Sequence, residues 1–360
     1  MPGSVTPSMP ARSRPPDPAG PFASALARFD RGRPVLILGH NDADGLSATA
    51  ILARGLGQEG WACRTRIVGR GENPWSAELQ AEIAHTNPGG LIVTDLGVRE
   101  GDLAACPTII IDHHVPTGTP GAATLITGYG QDPIPTSSLL ALRSVEPLTS
   151  SGDDLLWLAA LGIIGDMAED SGFPEMAAAR ARYGVTALRK AASLVNAPRR
   201  SASGDASPSL SLLMKANGPK AVLSGEHPET AALLAAKDEV KAELERARKI
   251  GPKLRGGVAL IAFSSPCQIH PLVAQTWRGR LKGADVIAAN FGYRPGWVQF
   301  AARAGAGTDL IAFLAEHRPP GADENYGSGH VAASGGALRL PDWNAFIAGL
   351  GFGPEEQVAA

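Results

Sequence analysis

The segment VLILGHNDADG at residues 35–45 constrains this 360-residue chain more than any other. Its apolar start is typical of a strand in a parallel sheet that is covered on both faces. The strand runs directly into His40, Asp42 and Asp44. Packing gives no reason to place two carboxylates so close together, because charged groups are costly to bury without partners. We therefore interpret these three side chains as ligands of a metal ion.

Other acidic side chains follow predicted strands or lie in an apolar helix. Asp95 follows strand 91–94, and the triplet DHH, with Asp112, His113 and His114, follows the next strand. Asp166 lies near the end of an apolar helical segment. Each of these residues alone could be a helix cap, a turn former or part of a salt bridge. Because the carboxyl ends of parallel strands open on one edge of a sheet, we expect these side chains to meet in one crevice.

The chemistry of these ligands predicts a pair of divalent cations. Carboxylate oxygens with about one imidazole per ion favour Mn²⁺, with Mg²⁺ or Zn²⁺ as weaker choices. One aspartate can bridge two ions, and two such ions lower the pKa of a bound water and hold phosphate oxygens. The sequence therefore predicts hydrolysis of a phosphoester.

The hydrophobic pattern predicts an α/β chain of two domains. We expect a parallel-sheet domain at residues 22–195, a helical linker at 196–255 and a smaller α/β domain at 256–352. The predicted strands are residues 34–38, 63–68, 91–94, 108–111, 258–263, 286–291 and 297–302. The predicted helices are residues 24–29, 46–55, 77–85, 137–144, 155–167, 229–253, 272–281 and 310–316. The helix at 229–253 has a charged face, and we expect it to bridge the domains.

The termini and the composition favour a globular, cytoplasmic chain. Residues 1–21 are rich in proline and have no apolar core, so we expect a disordered tail there rather than a signal peptide, and a second tail at 353–360. The longest apolar run is about half as long as a membrane span. Three widely spaced cysteines fit a reducing compartment. A net charge of −2 creates no overall positive field, although bound cations or a local basic groove could attract phosphate.

The acidic motifs resemble those of a known family. HNDADG, the aspartate of VTDLG, IDHH and GIIGDMAED are similar to the four successive motifs of the DHH phosphoesterase superfamily, and GSGHVAASGG is similar to the glycine-histidine motif of its C-terminal DHH-associated domain. These motifs occur in family order and span residues 34–340. A single residue separates His40 from Asp42, which makes the first motif more similar to RecJ-like single-strand nucleases than to oligoribonucleases, where the gap has three residues.

The resemblance implies two groups of metal ligands. One ion would be bound by His40, Asp42 and Asp95, and the other by Asp44, Asp95, His113 and Asp166. His114 would face the scissile phosphate as a catalytic residue. Asp112 would orient the neighbouring histidines through hydrogen bonds.

The resemblance also implies that the second domain binds substrate. The residues concerned are Gly327, Ser328, Gly329, His330 and Arg303. The first three would form an anion-binding nest of backbone N–H groups, and the histidine and arginine would add side-chain donors. The chain departs from the usual pattern in having Ser328 as the middle residue of a glycine triplet and Ala304 in place of a serine. His270 is a further candidate phosphate contact.

The resemblance favours a RecJ-like exonuclease that uses Mn²⁺, or Mg²⁺, to hydrolyse single-stranded DNA or short oligonucleotides in a cleft between the domains. One alternative keeps the chemistry but takes cyclic or linear dinucleotides or other small phosphoesters. Another is a non-catalytic nucleic-acid-binding protein, although no expected metal ligand is missing. The arginines at positions 64, 66, 70, 199 and 200 could follow a nucleic-acid backbone or be ordinary surface residues. Cleavage polarity and oligomeric state are left open.

Overall fold

The structure, a computed structural model, describes residues 17–149, 154–323 and 326–358. It divides into two compact units, the first comprising Met1–Ala192 with Leu213–Leu223 and the second Ser193–Leu212 with Ser224–Ala360. Residues predicted as a linker are therefore shared between both units. The domain boundaries at 195 and 255 stay a prediction.

A five-stranded parallel sheet forms the centre of the first unit. Its strands are β1 (Val35–His40), β2 (Cys63–Val68), β3 (Gly90–Thr94), β4 (Thr108–Asp112) and β5 (Thr124–Thr127). Their order is β2-β1-β3-β4-β5, so β1, β3 and β4 are interior strands. These three strands are almost wholly buried, as expected of apolar runs in a sheet covered on both faces.

The first helix precedes the first strand, and the other helices lie between and after the strands in chain order. The helices are α1 (Ala19–Leu26), α2 (Ala43–Gln58), α3 (Ala77–Thr86), α4 (Ser137–Val145), α5 (Leu156–Gly165), α6 (Pro174–Tyr183), α7 (Val185–Val195), α8 (Ser207–Lys215), α9 (Pro219–Ser224), α10 (Glu229–Ala247), α11 (His270–Arg280), α12 (Leu310–Glu316) and α13 (Leu340–Gly349). None of those within the described parts of the chain has both the length and the apolarity that a membrane span needs.

A six-stranded mixed sheet forms the second unit. Its strands are β6 (Lys253–Arg255), β7 (Val258–Phe263), β8 (Asp285–Arg294), β9 (Trp297–Arg303), β10 (Ser328–His330) and β11 (Ala333–Arg339). Strands β7 and β8 are parallel, the other pairs are antiparallel, and the order is β10-β11-β9-β8-β7-β6. The predicted fold class, a parallel-sheet α/β domain followed by a smaller α/β domain, is confirmed.

Several sequence-based expectations need correction. Helix α1 begins at Ala19, so the last residues of the predicted N-terminal tail are helical, while residues 1–16 lie outside the described part. In the predicted C-terminal tail, Val358 exchanges two hydrogen bonds of 3.0 Å with Asn344. Helix α10 belongs to the second unit, where its buried Val240 and Ala247 pack into the core of the second sheet, and its role as a bridge between domains stays a prediction.

Candidate metal centre

The first acidic motif combines a strand end with a helix start. His40 is the last residue of β1, and Asp42 is the N-cap of α2. The Oδ1 atom of Asp42 accepts hydrogen bonds from the N–H groups of Asp44 at 3.2 Å and Gly45 at 3.1 Å. The first N–H groups of a helix have no partner within the helix, and these bonds supply one. This cap starts α2 at Ala43, earlier than the predicted residue 46, and so places Asp44 in the first turn. Gly45 is needed because the backbone of His40 lies directly against it.

Asp95 follows β3 in a left-handed backbone conformation. Its φ is +63°, a region that aspartate tolerates better than most residues but that still costs about 1–3 kcal/mol. Such conformations are typical of functional sites, where the surrounding structure holds them in place. The side chain is 3% exposed, and its Oδ1 accepts a hydrogen bond of 2.9 Å from the hydroxyl of Ser137. The backbone conformation of Asp95 and the hydrogen bond from Ser137 together fix the position of the carboxylate.

The DHH triplet lies at the end of β4, where Asp112 is the last residue of the strand and His113 and His114 follow it. Asp112, fully buried, accepts the N–H of Gly97 at 2.7 Å and the N–H of His114 at 2.8 Å. Its Oδ1 also lies 3.1 Å from Nδ1 of His114. Burial would raise the pKa of Asp112, but the bond to His114 and the two N–H groups lower it. Asp112 thus stays ionised and holds the His114 ring, whose side chain is 53% exposed.

Asp44 is held by the start of α4. Its two carboxylate oxygens accept the N–H of Ser137 at 2.7 Å and the N–H of Ser138 at 3.0 Å. The positive end of the helix dipole stabilises a carboxylate at this position. Neither serine can be identified from the sequence, because a serine at a helix start is common and nothing in the local pattern connects it with residue 44.

Asp166 reaches the cluster at the C-terminal end of α5, where it is the C-cap residue. Two glycines of this helix permit its close approach to the site. A Cβ on Gly162 would collide with Ser138 Oγ and Asp44 Oδ1, and one on Gly165 would collide with Ala43. Close packing therefore explains why both of these positions in the GIIGD segment are glycine.

The structure brings all the predicted ligands together in the first unit. Three overlapping groups have ligand atoms within 4.8 Å of one another: Asp95, His113 and His114; His40, Asp42 and Asp95; and Asp44, His113 and Asp166. The last two groups contain the ligands that the resemblance implies for two ions, except that Asp95 occurs only with His40 and Asp42. Asp95 links them, since its Oδ1 lies 3.4 Å from Nε2 of His113.

The proximity of these groups shifts their pKa values. Burial would lower the pKa of His40, but the neighbouring carboxylates raise it to about 10. In the same way, carboxylates overcome burial and raise the pKa of His113 to about 9. Burial, followed by the charge of Asp95, raises the pKa of Asp44 to about 7, and burial with the charge of Asp44 raises the pKa of Asp166 to about 9. The clustered carboxylates repel one another, and a divalent cation would relieve that repulsion.

The residues fit a divalent metal ion. Nδ1 of His40 lies 3.2 Å from Oδ2 of Asp42 and 3.4 Å from Oδ2 of Asp95. This buried nitrogen nevertheless makes no hydrogen bond within the described parts of the chain, as expected if the three atoms converge on a cation rather than on one another. Carboxylate oxygens and imidazole nitrogens are suitable ligands for Mn²⁺ and, with fewer imidazoles, for Mg²⁺.

A cationic cluster lies in the second unit. It contains Arg303 at the end of β9, Arg200, and His270 at the start of α11. Burial, with Arg303 and Arg200 nearby, lowers the pKa of His270 to about 3, so this imidazole is neutral at physiological pH. Nδ1 of His270 is buried and has no hydrogen-bond partner among the residues that the structure describes. Arg303 itself bonds to Gln275 at 3.2 Å.

The predicted anion-binding segment is a hairpin of β10 and β11. The N–H of Gly327 donates to the carbonyl of Gly335 at 2.9 Å, so this group already has a partner within the sheet. Gly329 and His330 pair with Ser334 and Ala333. Ala333 of β11 also pairs with Arg303 of β9. His330 and Arg303 therefore lie on the two strands that flank β11, both opposite Ala333. A role of Gly327, Ser328 and Gly329 as a nest stays a prediction.

The fold and the cluster define a class of protein: an α/β chain whose parallel sheet carries a site for divalent cations at its carboxyl edge. Residues 34–163 match the family model described as DHH family, N-terminal domain. These residues therefore match the family that the acidic motifs resemble. Comparison with curated proteins finds no match.

Solved structures of RecJ share the fold of this chain. An exonuclease RecJ bound to manganese has a TM-score of 0.67 at 20% identity, over 92% of this chain and 93% of that one. RecJ from Thermus thermophilus with Mn²⁺ has a TM-score of 0.69 at 19% identity, over 94% of this chain but only 54% of that one. CDC45 from Entamoeba histolytica has a TM-score of 0.57 at 10% identity, over 92% and 98%. The chain therefore has a RecJ-like fold.

Proposed function

We propose that this chain is a phosphodiesterase that uses two Mn²⁺ ions to hydrolyse single-stranded DNA or short oligonucleotides, as a RecJ-like exonuclease. The observation that carries the proposal is the pair of ligand groups joined by Asp95, each with its atoms within 4.8 Å. Two cations held by these residues would lower the pKa of a bound water molecule and would bind the phosphate oxygens.

The ligand assignment follows the two groups and adds Asp95 to the second, because its Oδ1 lies 3.4 Å from Nε2 of His113. One cation would be held by His40, Asp42 and Asp95, and the other by Asp44, Asp95, His113 and Asp166. Ser137 and the start of α4 keep Asp95 and Asp44 in place. Supporting groups of this kind orient metal ligands and increase their basicity.

His114 would bind the phosphate. The hydrogen bond between Nδ1 of His114 and the Asp112 carboxylate raises the pKa of His114 and so favours the imidazolium. Its Nε2 can then donate to a phosphate oxygen, where the positive charge stabilises the charge of the transition state. Asp112 fixes the ring orientation for this role.

The second unit would bind a further part of the substrate. Arg303, Arg200 and His330 offer donors for a phosphate, and the neutral His270 can donate from one ring nitrogen. Burial lowers the pKa of Arg303, but its guanidinium remains charged at all physiological pH values.

Degradation of end-labelled single strands by the full chain with Mn²⁺ tests the proposal. Asp166→Ala removes a ligand and should reduce the rate about 100-fold or more. Asp170→Ala is the matched control, since Asp170 is four residues away and its side chain is 82% exposed. We expect this variant to act as the wild type does.

Three outcomes would change the proposal. Full activity of Asp166→Ala would exclude the ligand assignment. Cleavage of dinucleotides with intact long strands would favour the small-phosphoester function. Binding of single strands without any cleavage, in Mn²⁺ or Mg²⁺, would favour a non-catalytic protein.

A further inference from the structure

A cavity of about 410 Å³ opens beside the metal centre within the first unit. It shares His40, Asp95 and His114 with that centre and extends over the ends of β2 and β3. Its volume lies within the range of about 300–1,000 Å³ that is typical of small-molecule sites. A phosphate bound at the metal centre would therefore have its attached groups next to this space.

The lining of the cavity is amphipathic. The apolar side chains are Val68, Pro74, Leu96, Val98 and Val115, and the polar ones include Glu72, Arg99 and Thr117. Apolar walls with a few polar groups suit a ligand that has a flat apolar part and a polar part. A nucleoside has both, in its base and its sugar.

Hydrogen bonds hold the walls in place. Thr117 donates to the carbonyl of Val98 through its N–H at 2.9 Å and its hydroxyl at 3.1 Å, which joins the loops after β3 and β4. Glu72 accepts the N–H of Gly69 at 2.6 Å and pairs with Arg66 at 2.7 Å. The ion pairs of Arg66 also indicate that this arginine has a structural role. A wall that is formed in advance loses little entropy when a ligand binds.

One of the residues that line the cavity, Arg99, has a positively charged side chain. The guanidinium of Arg99 is 5.4 Å from the centre of the Trp75 ring, close enough for a cation–π interaction. Trp75 itself packs against the hydrophobic core between the sheet and α3, which includes Leu79 and Ile83. The positive charge of Arg99 is thus positioned beside a site for an anionic substrate.

We propose that this cavity binds one nucleoside of the substrate, with its base against the apolar wall and its phosphate at His114 and the metal centre. This inference rests on the proposed phosphodiesterase function and names the part of the substrate that the first unit recognises. Burial of a base against an apolar wall contributes to affinity through the hydrophobic effect, which requires no particular sequence.

A substitution that fills the cavity tests this inference. Thr117 is exposed and lies three residues beyond His114, so Thr117→Trp would place a large side chain in the cavity while leaving the metal ligands unchanged. Thr119→Trp is the matched control, because Thr119 is also exposed and does not line the cavity. The substrates are the p-nitrophenyl ester of thymidine 5′-monophosphate and methyl p-nitrophenyl phosphate, in which a methyl group replaces the nucleoside.

We expect Thr117→Trp to reduce kcat/KM for the thymidine ester about tenfold or more, and to change that for the methyl ester by less than about twofold. Thr119→Trp should change neither. An equal loss for both esters, or a loss for neither, would overturn the inference.

Calorimetry separates failure of this inference from failure of the proposed function. With Mn²⁺ present, wild type should bind thymidine 5′-monophosphate about tenfold more tightly than inorganic phosphate, and Thr117→Trp should lose this difference. If no ester is hydrolysed but this difference is seen, the cavity site stands and the hydrolase function fails. Equal affinity of the wild type for both ligands overturns the cavity site, whatever the activity.

Discussion

Ser137 makes two contacts that position the metal ligands. Its N–H donates to Asp44, and its hydroxyl donates to Asp95 at 2.9 Å. The residue therefore connects the first turn of α4 to a ligand of each predicted ion. Groups that hold a ligand in this way typically contribute about 10–100-fold to metal affinity.

Ser137→Ala removes the hydroxyl but keeps the backbone N–H. We expect Mn²⁺ affinity, measured by titration calorimetry, to fall about tenfold because Asp95 loses its buried partner. Ser137→Thr keeps a hydroxyl and should restore most of the affinity.

Ser144→Ala controls for general effects on α4. Ser144 is also fully buried, but its hydroxyl donates to the carbonyl of Leu140 at 2.8 Å, away from the ligands. This variant should bind Mn²⁺ as the wild type does. If Ser137→Ala binds Mn²⁺ with unchanged affinity, the positioning role of the hydroxyl is wrong.

The difference between Asp42 and Ser137 shows which site residues a sequence reveals. Asp42, Asp95 and Asp112 can be identified together, because several carboxylates at the ends of apolar parallel strands share one sheet edge, although any one of them alone could be a cap or turn residue. Ser137 cannot, since serine near a helix start is ordinary. Its role depends on where α4 lies relative to β3, which only the three-dimensional structure gives.

At the scale of elements, α5 must come very close to α2 and α4 to deliver Asp166. Gly162 permits this approach, because a Cβ there would collide with Ser138 and Asp44. Gly162→Ala should lower the free energy of unfolding by about 1–3 kcal/mol, the usual cost of overpacking a core. It should also weaken Mn²⁺ binding, since relief of the collision displaces Asp44. Denaturant unfolding and calorimetry measure the two effects.

Gly57→Ala is the matched control for helix propensity. Gly57 lies in α2, and a Cβ there meets nothing within 4 Å. Alanine should therefore stabilise the protein by about 0.4–1 kcal/mol and leave metal binding unchanged. Should Gly162→Ala behave in the same way, the close approach of α5 is not needed for the site.

Elements were predictable where the local pattern alone determines them. Residues 63–68 and 258–263 form strands β2 and β7 as predicted, and 310–316 forms α12. In contrast, the pattern gave no sign of β11. Its sequence ASGGALR has neither an apolar run nor regular alternation. It is a strand because it pairs with β9 on one side and β10 on the other, an effect of tertiary structure on a weak local preference.

At the scale of the whole molecule, the net charge of −2 does not show where the titratable side chains gather. The first unit gathers four carboxylates and three imidazoles at one sheet edge, and the second unit gathers Arg200 and Arg303 beside a neutral His270. Composition alone cannot show this separation.

The metal-free cluster also makes stability depend on pH. In the folded protein the pKa values of Asp44 and Asp166 are about 7 and 9, against 3.8 in a free side chain. Those of His113 and His40 are about 9 and 10, against 6.5. All four are raised, so the folded state binds more protons than the unfolded state. Their stabilising contribution is fully present at low pH and is lost as pH rises through these values.

We expect the Tm of the EDTA-treated protein to fall between about pH 6 and pH 8.5, since over this range the folded cluster keeps protons that the same side chains release when the chain unfolds. Mn²⁺ should raise Tm more at the higher pH, because its ligands must be deprotonated to bind. The gap between the metal-loaded and metal-free Tm should therefore widen with pH, as measured by scanning calorimetry. Asp166→Asn removes the carboxyl whose pKa is raised more than that of Asp44. This variant should therefore show a weaker dependence of the metal-free Tm on pH. A metal-free Tm that stays constant or increases over this range would contradict the electrostatic account of the cluster.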